Sequence, residues 1–535
     1  MELTRKGFVA GSAAAAVAVG AGIALEARAD ETTAQTADLV IVGEGMGGLT
    51  AGVRALENGI KNVTIVEVST WPGGGSSFSN GSIHAFGMGS TEELFKLNTR
   101  HASTSDIEIK SFLAIADLLH WVDTLGLPIE VVDPADHQTI GDSTDADLPS
   151  GQMISADGQY GATAPINFFR AYEQLFIDNG GTVLHRVEAM KLVTTETGEI
   201  TGITCRNVED GSRFVINTSQ VILSCGGWQN DQQMKSAHLG RDAWQAGCMG
   251  VPYNMASGIA IAAPVDPALT GDFSNFAGLF LPSMPAKNLM EDVELYENND
   301  YTYEENGKWW VWREIIDNFP AHSILVNNDG KRFADEARYR HSADTDIAAQ
   351  PHATAIVVCD DPAYQNWLNG VVRGMPEGEG MAEKIEFICS ERIGGAVFEA
   401  NTLEELADAM NATNVTNYQL HKATFLKTVE EYNAAAEAGT AADLDPERVV
   451  NEATPIVEPP FHAIPIRNAI FTVYGGLAID EQSRVLDRCS AVIPGLYATS
   501  PCAGGVIHEF YAGAIAHAGV TGIWAADAAA AALNG

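Results

Sequence analysis

The sequence predicts an α/β protein with a Rossmann-like βαβ unit near its start, and three observations carry that prediction. An apolar run of strand-formers, Leu39–Val42, enters a glycine turn in which Gly43, Gly45 and Gly48 keep G-x-G-x-x-G spacing. A helix-like run follows to about Gly59, then a second strand, Val63–Val66, that ends on an acid, Glu67. Far downstream a second strand, Gln220–Leu223, runs into another glycine turn, Ser224-Cys225-Gly226-Gly227-Trp228.

Strand, glycine turn, helix, strand and acid together form a dinucleotide fingerprint in its proper context. Gly43 permits the tight turn. Gly45 lets backbone approach a pyrophosphate, whose charge is favoured at a helix N-terminus. Gly48 allows helix and strand to pack closely. Glu67, 19 residues beyond Gly48, is placed to accept hydrogen bonds from a ribose. The Gly/Ser-rich stretch Trp71–Gly89 offers amides and hydroxyls that can come close to a bulky flat ligand.

The chain of 535 residues is long enough for several domains, and 46% hydrophobic content fits a globular protein with a large core. Seventy acidic against 31 basic residues give a formal net charge of −39. Such a surface repels phosphate backbones, and with no Lys/Arg run a nucleic-acid partner is not expected. The seven cysteines are scattered, without C-x-x-C, haem-attachment or Cys/His metal spacing, so no metal, iron–sulfur or haem centre is expected.

Residues 1–29 read as an export signal. Arg5 and Lys6 form a charged start, Ala13–Leu25 is an apolar run too short for a comfortable membrane span, and Ala27-Arg28-Ala29 is an A-x-A cleavage site. Thr4-Arg5-Lys6-Gly7-Phe8-Val9 resembles the twin-arginine export motif with Lys6 in the second arginine's place. A periplasmic or extracytoplasmic protein starting at Asp30, with no integral span after processing, is the expectation; ordinary secretion and an N-terminal anchor are the alternatives.

Further along, Asp106–Leu125 and Asn167–Asn179 read as helices, and Gly180–Leu192, Ile200–Asn207 and Arg213–Asn217 as strands. Composition changes between Phe273 and Trp312, where aromatic, Asn and Glu residues gather, and this marks a domain change. Ser323–Asn327 reads as a strand closed by an Asn328-Asp329-Gly330 hairpin turn. Leu403–Met410 and Leu420–Gly439 read as helices, Ala441–Pro460 as a linker, Ala469–Ile479 and Ala491–Ala498 as strands, and Gly513–Leu533 as a C-terminal helix.

Taken in order, these pieces resemble the fumarate-reductase-like flavoproteins, which include soluble fumarate reductases, urocanate reductases and ketosteroid dehydrogenases. The likeness runs from about Asp38 to the C-terminus. It rests on Val42–Gly48 with Glu67, on Gly74–Gly81, on Val221–Trp228, on the block Ile324–Glu336 (Ile-Leu-Val-Asn-Asn-Asp-Gly-Lys-Arg-Phe-Ala-Asp-Glu), and on Pro494-Gly495-Leu496-Tyr497-Ala498. The resemblance implies FAD, non-covalent because the covalent-flavin histidine motif is absent. It implies an FAD-binding domain built from both ends of the chain, residues 37–277 and 457–535, with an inserted α+β capping and catalytic domain at 278–456. It places Gly43, Gly45, Met46, Gly47, Gly48, Glu67, Gly74, Gly75, Ser76, Ser77, Ser79, Gly81, Val187, Gly226 and Ala516 against the cofactor.

In this family the catalytic residue stands four positions after the block's glutamate, which is Glu336 here, so the position is Arg340. The reductases carry an arginine there as proton donor; ketosteroid dehydrogenases carry a tyrosine as base, and Tyr339 is one residue away. Asp335, Glu336 and Asp344 are the candidate carboxylates to refill the proton. Tyr511 aligns with the tyrosine that ketosteroid enzymes use on a substrate carbonyl, where fumarate reductases carry an arginine; Tyr474, His508 and Glu509 stand near by as candidate contacts. Thr472 replaces the reductases' histidine and Pro501 the family's glutamate. A dicarboxylate would lose most of its cationic clamp. The implied activity is reduction of an activated C=C bond in a small enone or enoate, with electrons from a separate membrane or extracytoplasmic donor. The alternatives are a ketosteroid-type dehydrogenase and a non-catalytic flavin carrier.

Overall fold

The computed structural model describes residues 35–83, 105–132, 149–155, 164–283, 319–320, 322–336, 345–370, 380–389, 395–413, 419–449, 453–508, 511 and 513–534. The expected export signal, Arg340 with Tyr339 and Asp344, and Glu509 lie outside the described residues.

The first sheet has six strands. β1 (Leu39–Val42) leads through α1 (Met46–Glu57) to β2 (Val63–Val66), as the fingerprint requires. Beyond β2 lies β3 (Thr182–Leu184), reached through two helices, α2 (Asp106–Leu113) and α3 (Ile115–Thr124), and a third, α4 (Ala164–Asp178). A three-stranded meander, β4 (Val187–Thr194), β5 (Ile200–Asn207) and β6 (Arg213–Asn217), then leads to β7 (Val221–Leu223), which pairs with the other side of β1. β1, β2, β3 and β7 are all parallel. Because a parallel sheet is covered on both faces, each of β1, β2 and β7 is buried throughout, which explains their unbroken apolar runs.

The middle of the chain makes a second, mostly antiparallel sheet. It contains β8 (Phe276–Pro282), β9 (Ile324–Val326), β10 (Thr354–Cys359) and the long β11 (Phe461–Val473), which pairs with both β8 and β10. The chain then returns to the first sheet with β12 (Arg484–Leu486) and β13 (Val492–Ala498). β13 joins β7 in parallel, Leu223 opposite Ala498, so segments some 270 residues apart in sequence become neighbours. The final helix, α5 (Ala514–Asn534), packs on α1, and a Cβ on Gly522 would come 2.6 Å from the Gly47 carbonyl.

The cores follow the layers. One apolar cluster lies between the first sheet and α1, α3, α4 and α5; another covers that sheet's opposite face. Two more cover the faces of the second sheet. No described helix is long and apolar enough to cross a membrane.

Three sequence expectations need correction. Asp106–Leu125 is two helices, divided at Ala114. Gly180–Leu192 is two strands, because Arg186 takes a left-handed φ of 59° that lets β3 join the parallel sheet and sends β4 into the meander. The expected strand Ala469–Ile479 instead spans Phe461–Val473. Pro465 hid its first half, since proline reads as a strand breaker, yet it pairs opposite Ile356 inside the sheet.

Gly48 shows how tightly the unit is built: a Cβ there would stand 2.0 Å from the Gly43 carbonyl oxygen. The clash is with backbone and cannot be relieved by a rotamer change. Gly48→Ala is therefore expected to cost at least the usual overpacking penalty of about 1–3 kcal/mol in denaturant unfolding, and to lower cofactor retention with it.

Candidate functional site

The two glycine turns meet at the C-terminal edge of the parallel strands, where ligands of open α/β sheets bind. Ser224 N–H donates to the Val42 carbonyl at 2.8 Å, so the turns after β1 and β7 lie side by side. Gly43 has φ +97°, and a Cβ on it would sit 2.4 Å from Ser224 O. Gly45 is different. A Cβ there meets nothing nearer than 3.7 Å, and one on Gly74 nothing nearer than 3.9 Å, where it reaches the backbone of Gly45. Each is within ordinary van der Waals range of its neighbours, and their missing side chains leave bare backbone along the groove where the turns meet. Gly45 is the N-cap of α1 and offers no side-chain cap; the Met46 amide makes only a long bond to Ser76 Oγ, at 3.4 Å, and the helix N-terminus favours an anion.

Around this groove the structure brings together Gly45, Met46, Gly74, Gly75, Ser76 and Gly226. Ser76 Oγ accepts from Met46 N–H at 3.4 Å, while the Met46 side chain is buried in the core. Ser77 Oγ donates to the Gly74 carbonyl at 2.8 Å, which holds the turn. Gly226, at φ +75°, would place a Cβ 2.2 Å from Asn254 Oδ1. The buried Asn254 side chain, which also lies 3.5 Å from the Cβ positions of Gly75 and Gly250, was not foreseen from sequence. Gly47 is closed off by Thr499 and Ser224, whose hydroxyls are hydrogen-bonded at 2.8 Å.

Glu67 stands at the end of β2, buried. One carboxylate oxygen accepts from Glu44 N–H at 2.9 Å and the other from Ser69 N–H at 2.8 Å. Each oxygen keeps a second acceptor site, which suits it to ribose hydroxyls. Glu67→Ala is expected to weaken FAD binding by about 1–3 kcal/mol, read by fluorescence titration of released FAD.

Other expected contacts lie differently. Ser79 and Gly81 bond to each other at 3.1 Å and adjoin Gln152 and Met153 in a small side sheet. Val187 N–H is committed to the Glu67 carbonyl at 2.9 Å, so only its carbonyl and side chain could face a ligand. The Ala516 side chain is wholly in the core, and what it can offer is its amide in the first turn of α5.

Glu44, inside the first glycine turn, is a surprise. Its side chain is fully buried, and Oε2 lies 2.8 Å from His185 Nε2, which is also 3.3 Å from Glu173 Oε1. Burial pushes the Glu44 carboxyl up to about 8, against the opposing hydrogen bond from His185. Burial alone would lower His185, but the hydrogen bond to Glu44 and the surrounding carboxylates outweigh it and hold the imidazole above its ordinary value. The group thus keeps a proton well beyond the ordinary carboxylate range.

Tyr474 and Tyr511 belong to one apolar cluster with Ala277, Ile507 and Phe471. The Tyr511 ring meets Phe471 edge-on at 5.0 Å. Its hydroxyl accepts from Ala514 N–H at 3.1 Å, at the start of α5. Beside it, His508 is gripped by Glu108 of α2: its N–H donates to Oε1 at 2.9 Å and its ring lies 3.2 Å from Oε2. That carboxylate raises the His508 pKa despite burial, while burial raises Glu108's own.

Glu336 sits in a buried arginine network. Oε1 accepts from Leu325 N–H at 2.9 Å and Arg332 Nε at 3.1 Å; Oε2 accepts from Arg332 Nη2 at 2.8 Å and Arg448 Nη1 at 3.3 Å. With both oxygens doubly occupied, the side chain ties β9 to Arg332 and Arg448.

The profile of a family described as an FAD binding domain matches residues 38–520. The chain belongs to this FAD-binding family. Among curated proteins it is similar to a probable fumarate reductase of Shewanella frigidimarina (strain NCIMB 400), 23% identical with 88% of this chain and 71% of that one covered. It is also similar to the vinyl phenol reductase of Lactiplantibacillus plantarum, 22% identical with 89% and 91% covered. Among solved structures its fold is similar to that of 3-ketosteroid delta1-dehydrogenase from Sterolibacterium denitrificans, at a TM-score of 0.66 and 17% identity, covering 93% of this chain and 100% of that one. The protein is an FAD-dependent oxidoreductase. The residues present would fit the cofactor: bare glycine backbone at Gly45 and Gly74, a helix N-terminus that would favour a pyrophosphate, and Glu67 with an acceptor site on each oxygen that would suit a ribose.

Proposed function

We propose that this flavoprotein reduces an activated C=C bond conjugated to a carbonyl, in a small enone or enoate. The single observation that carries the reading is the match to the FAD-binding family over residues 38–520, shared with relatives named as fumarate and vinyl phenol reductases; Tyr511, in an apolar cluster with Tyr474, is the candidate contact for a substrate carbonyl. Bound FAD, once reduced, supplies the hydride. Glu67, the glycine turns and the first turns of α1 and α5 hold the cofactor, non-covalently. Tyr511 orients the carbonyl and polarises the alkene. Arg340 delivers the proton to the α-carbon and faces the developing enolate. The second sheet serves as a cap over the site, inserted between the two halves of the cofactor domain. Electrons arrive from a separate redox protein, and the chain is exported by the residue 1–29 signal. The curated relatives that reduce C=C bonds support this reading.

A dehydrogenase of the ketosteroid type is the second reading. Tyr511 and the likeness to the 3-ketosteroid delta1-dehydrogenase fold favour it; an arginine where such enzymes carry tyrosine weighs against it.

A viologen-linked assay across enones, enoates and saturated ketones tests the proposal. Turnover of conjugated carbonyl alkenes supports it, and inactivity on all of them refutes it. On a turned-over substrate, Tyr511→Phe is expected to raise KM more than it lowers kcat, because it removes binding shared by ground and transition states.

A further inference from the structure

We propose that Glu44, Glu173 and His185 form a binding site for one divalent first-row transition-metal ion, of the Zn2+ or Mn2+ class, beside the first glycine turn. The inference does not depend on the alkene-reductase reading. The three side chains come from separate elements: Glu44 from the turn between β1 and α1, Glu173 from α4, and His185 from the end of β3. Their ligand atoms all lie within 4.8 Å of one another.

Two of the three separations already suit a shared metal ion. His185 Nε2 stands 2.8 Å from Glu44 Oε2 and 3.3 Å from Glu173 Oε1. For metal–ligand bonds of about 2.1 Å, these separations subtend angles of about 84° and about 104°. Both fit one face of a five- or six-coordinate ion, with the remaining positions left to water or to the second oxygen of Glu44.

Burial supplies an independent reason. Glu44 is 0% exposed, and its Oε1 is buried with no hydrogen-bond partner. A buried carboxylate oxygen without a partner is costly. A bidentate bond to a metal ion would satisfy it, and the ion's double positive charge balances the two carboxylates. The donor set chooses the class of ion. An imidazole with two carboxylates suits Zn2+ or Mn2+, whereas Ca2+ and Mg2+ take oxygen ligands alone. His185 and Glu173 are 30% and 19% exposed, which gives the ion an approach from solvent. A bound ion would clip the glycine turn to α4 and β3, and its binding would release the proton that the side chains otherwise share.

The test uses tag-free, FAD-loaded protein, stripped with chelator and then dialysed against micromolar Zn2+ or Mn2+. Metal analysis is expected to find one equivalent per chain in the wild type and none above background in Glu173→Gln or His185→Gln. The Tm should rise with metal in the wild type only. FAD content in metal-free buffer reports whether each variant is folded, and either folded variant decides the matter. A wild type that takes up no stoichiometric metal overturns the proposal, as does uptake that is unchanged in the variants.

Discussion

Replacing Arg340 by alanine is expected to slow alkene reduction by roughly 100-fold or more, the usual scale for a lost general acid, with FAD content unchanged. A guanidinium with a pKa above ~12 is an unusual acid. It can serve when a strongly basic carbanion forms beside it, and it stabilises the same developing charge by its own. Both contributions belong to the transition state, so kcat should fall while KM changes little, the opposite of Tyr511→Phe. Lysine should rescue poorly, since it lacks the planar fork that can face an enolate and a carboxylate together. Near-wild-type turnover in Arg340→Ala would remove it as the acid. Tyr339 would then be the next candidate, and the dehydrogenase reading would gain.

Glu336→Ala is expected to destabilise the protein by about 3–5 kcal/mol, measured as the change in denaturant unfolding free energy. The carboxylate is almost wholly buried, and it lies between two arginines that are almost as deeply buried. Its loss leaves Arg332 and Arg448 facing each other with reduced compensation. Arg332 keeps bonds to the Pro446 and Ala334 carbonyls, and Arg448 keeps Asp335 at 3.8 Å, but none of these replaces the paired charge. The Leu325 amide also loses its acceptor. A loss below about 1 kcal/mol, the scale of an exposed pair, would mean that the network is not the anchor described here.

Much of the fold was legible because local chemistry and global packing agree. The βαβ unit could be read from its glycine spacing and two apolar runs, since strands of a buried parallel sheet show as unbroken apolar segments. Ile200–Asn207 and Arg213–Asn217 alternate as strands of a half-covered meander should, and the structure has both strands with those bounds. Strand Phe461–Val473 was half hidden because Pro465 obeys a local rule that its neighbours in the sheet override. The glycine turn at Gly45 and the buried acid Glu67 were legible, because each is local to one turn and one strand end. Asn254, Glu44 and His185 were not, because each matters only through a neighbour brought close by the fold. The setting of Glu336 was hidden for the same reason: the sequence shows an acid, while its arginine partners, one of them more than a hundred residues away, show only in three dimensions.

The central claim is tested most directly by anaerobic mixing of the reduced, FAD-loaded protein with an enone. The account predicts that the oxidised-flavin absorbance returns and that a matching amount of saturated ketone forms. Flavin that stays reduced with every enone and enoate, or oxidised flavin that is bleached instead by the saturated ketone, would contradict it.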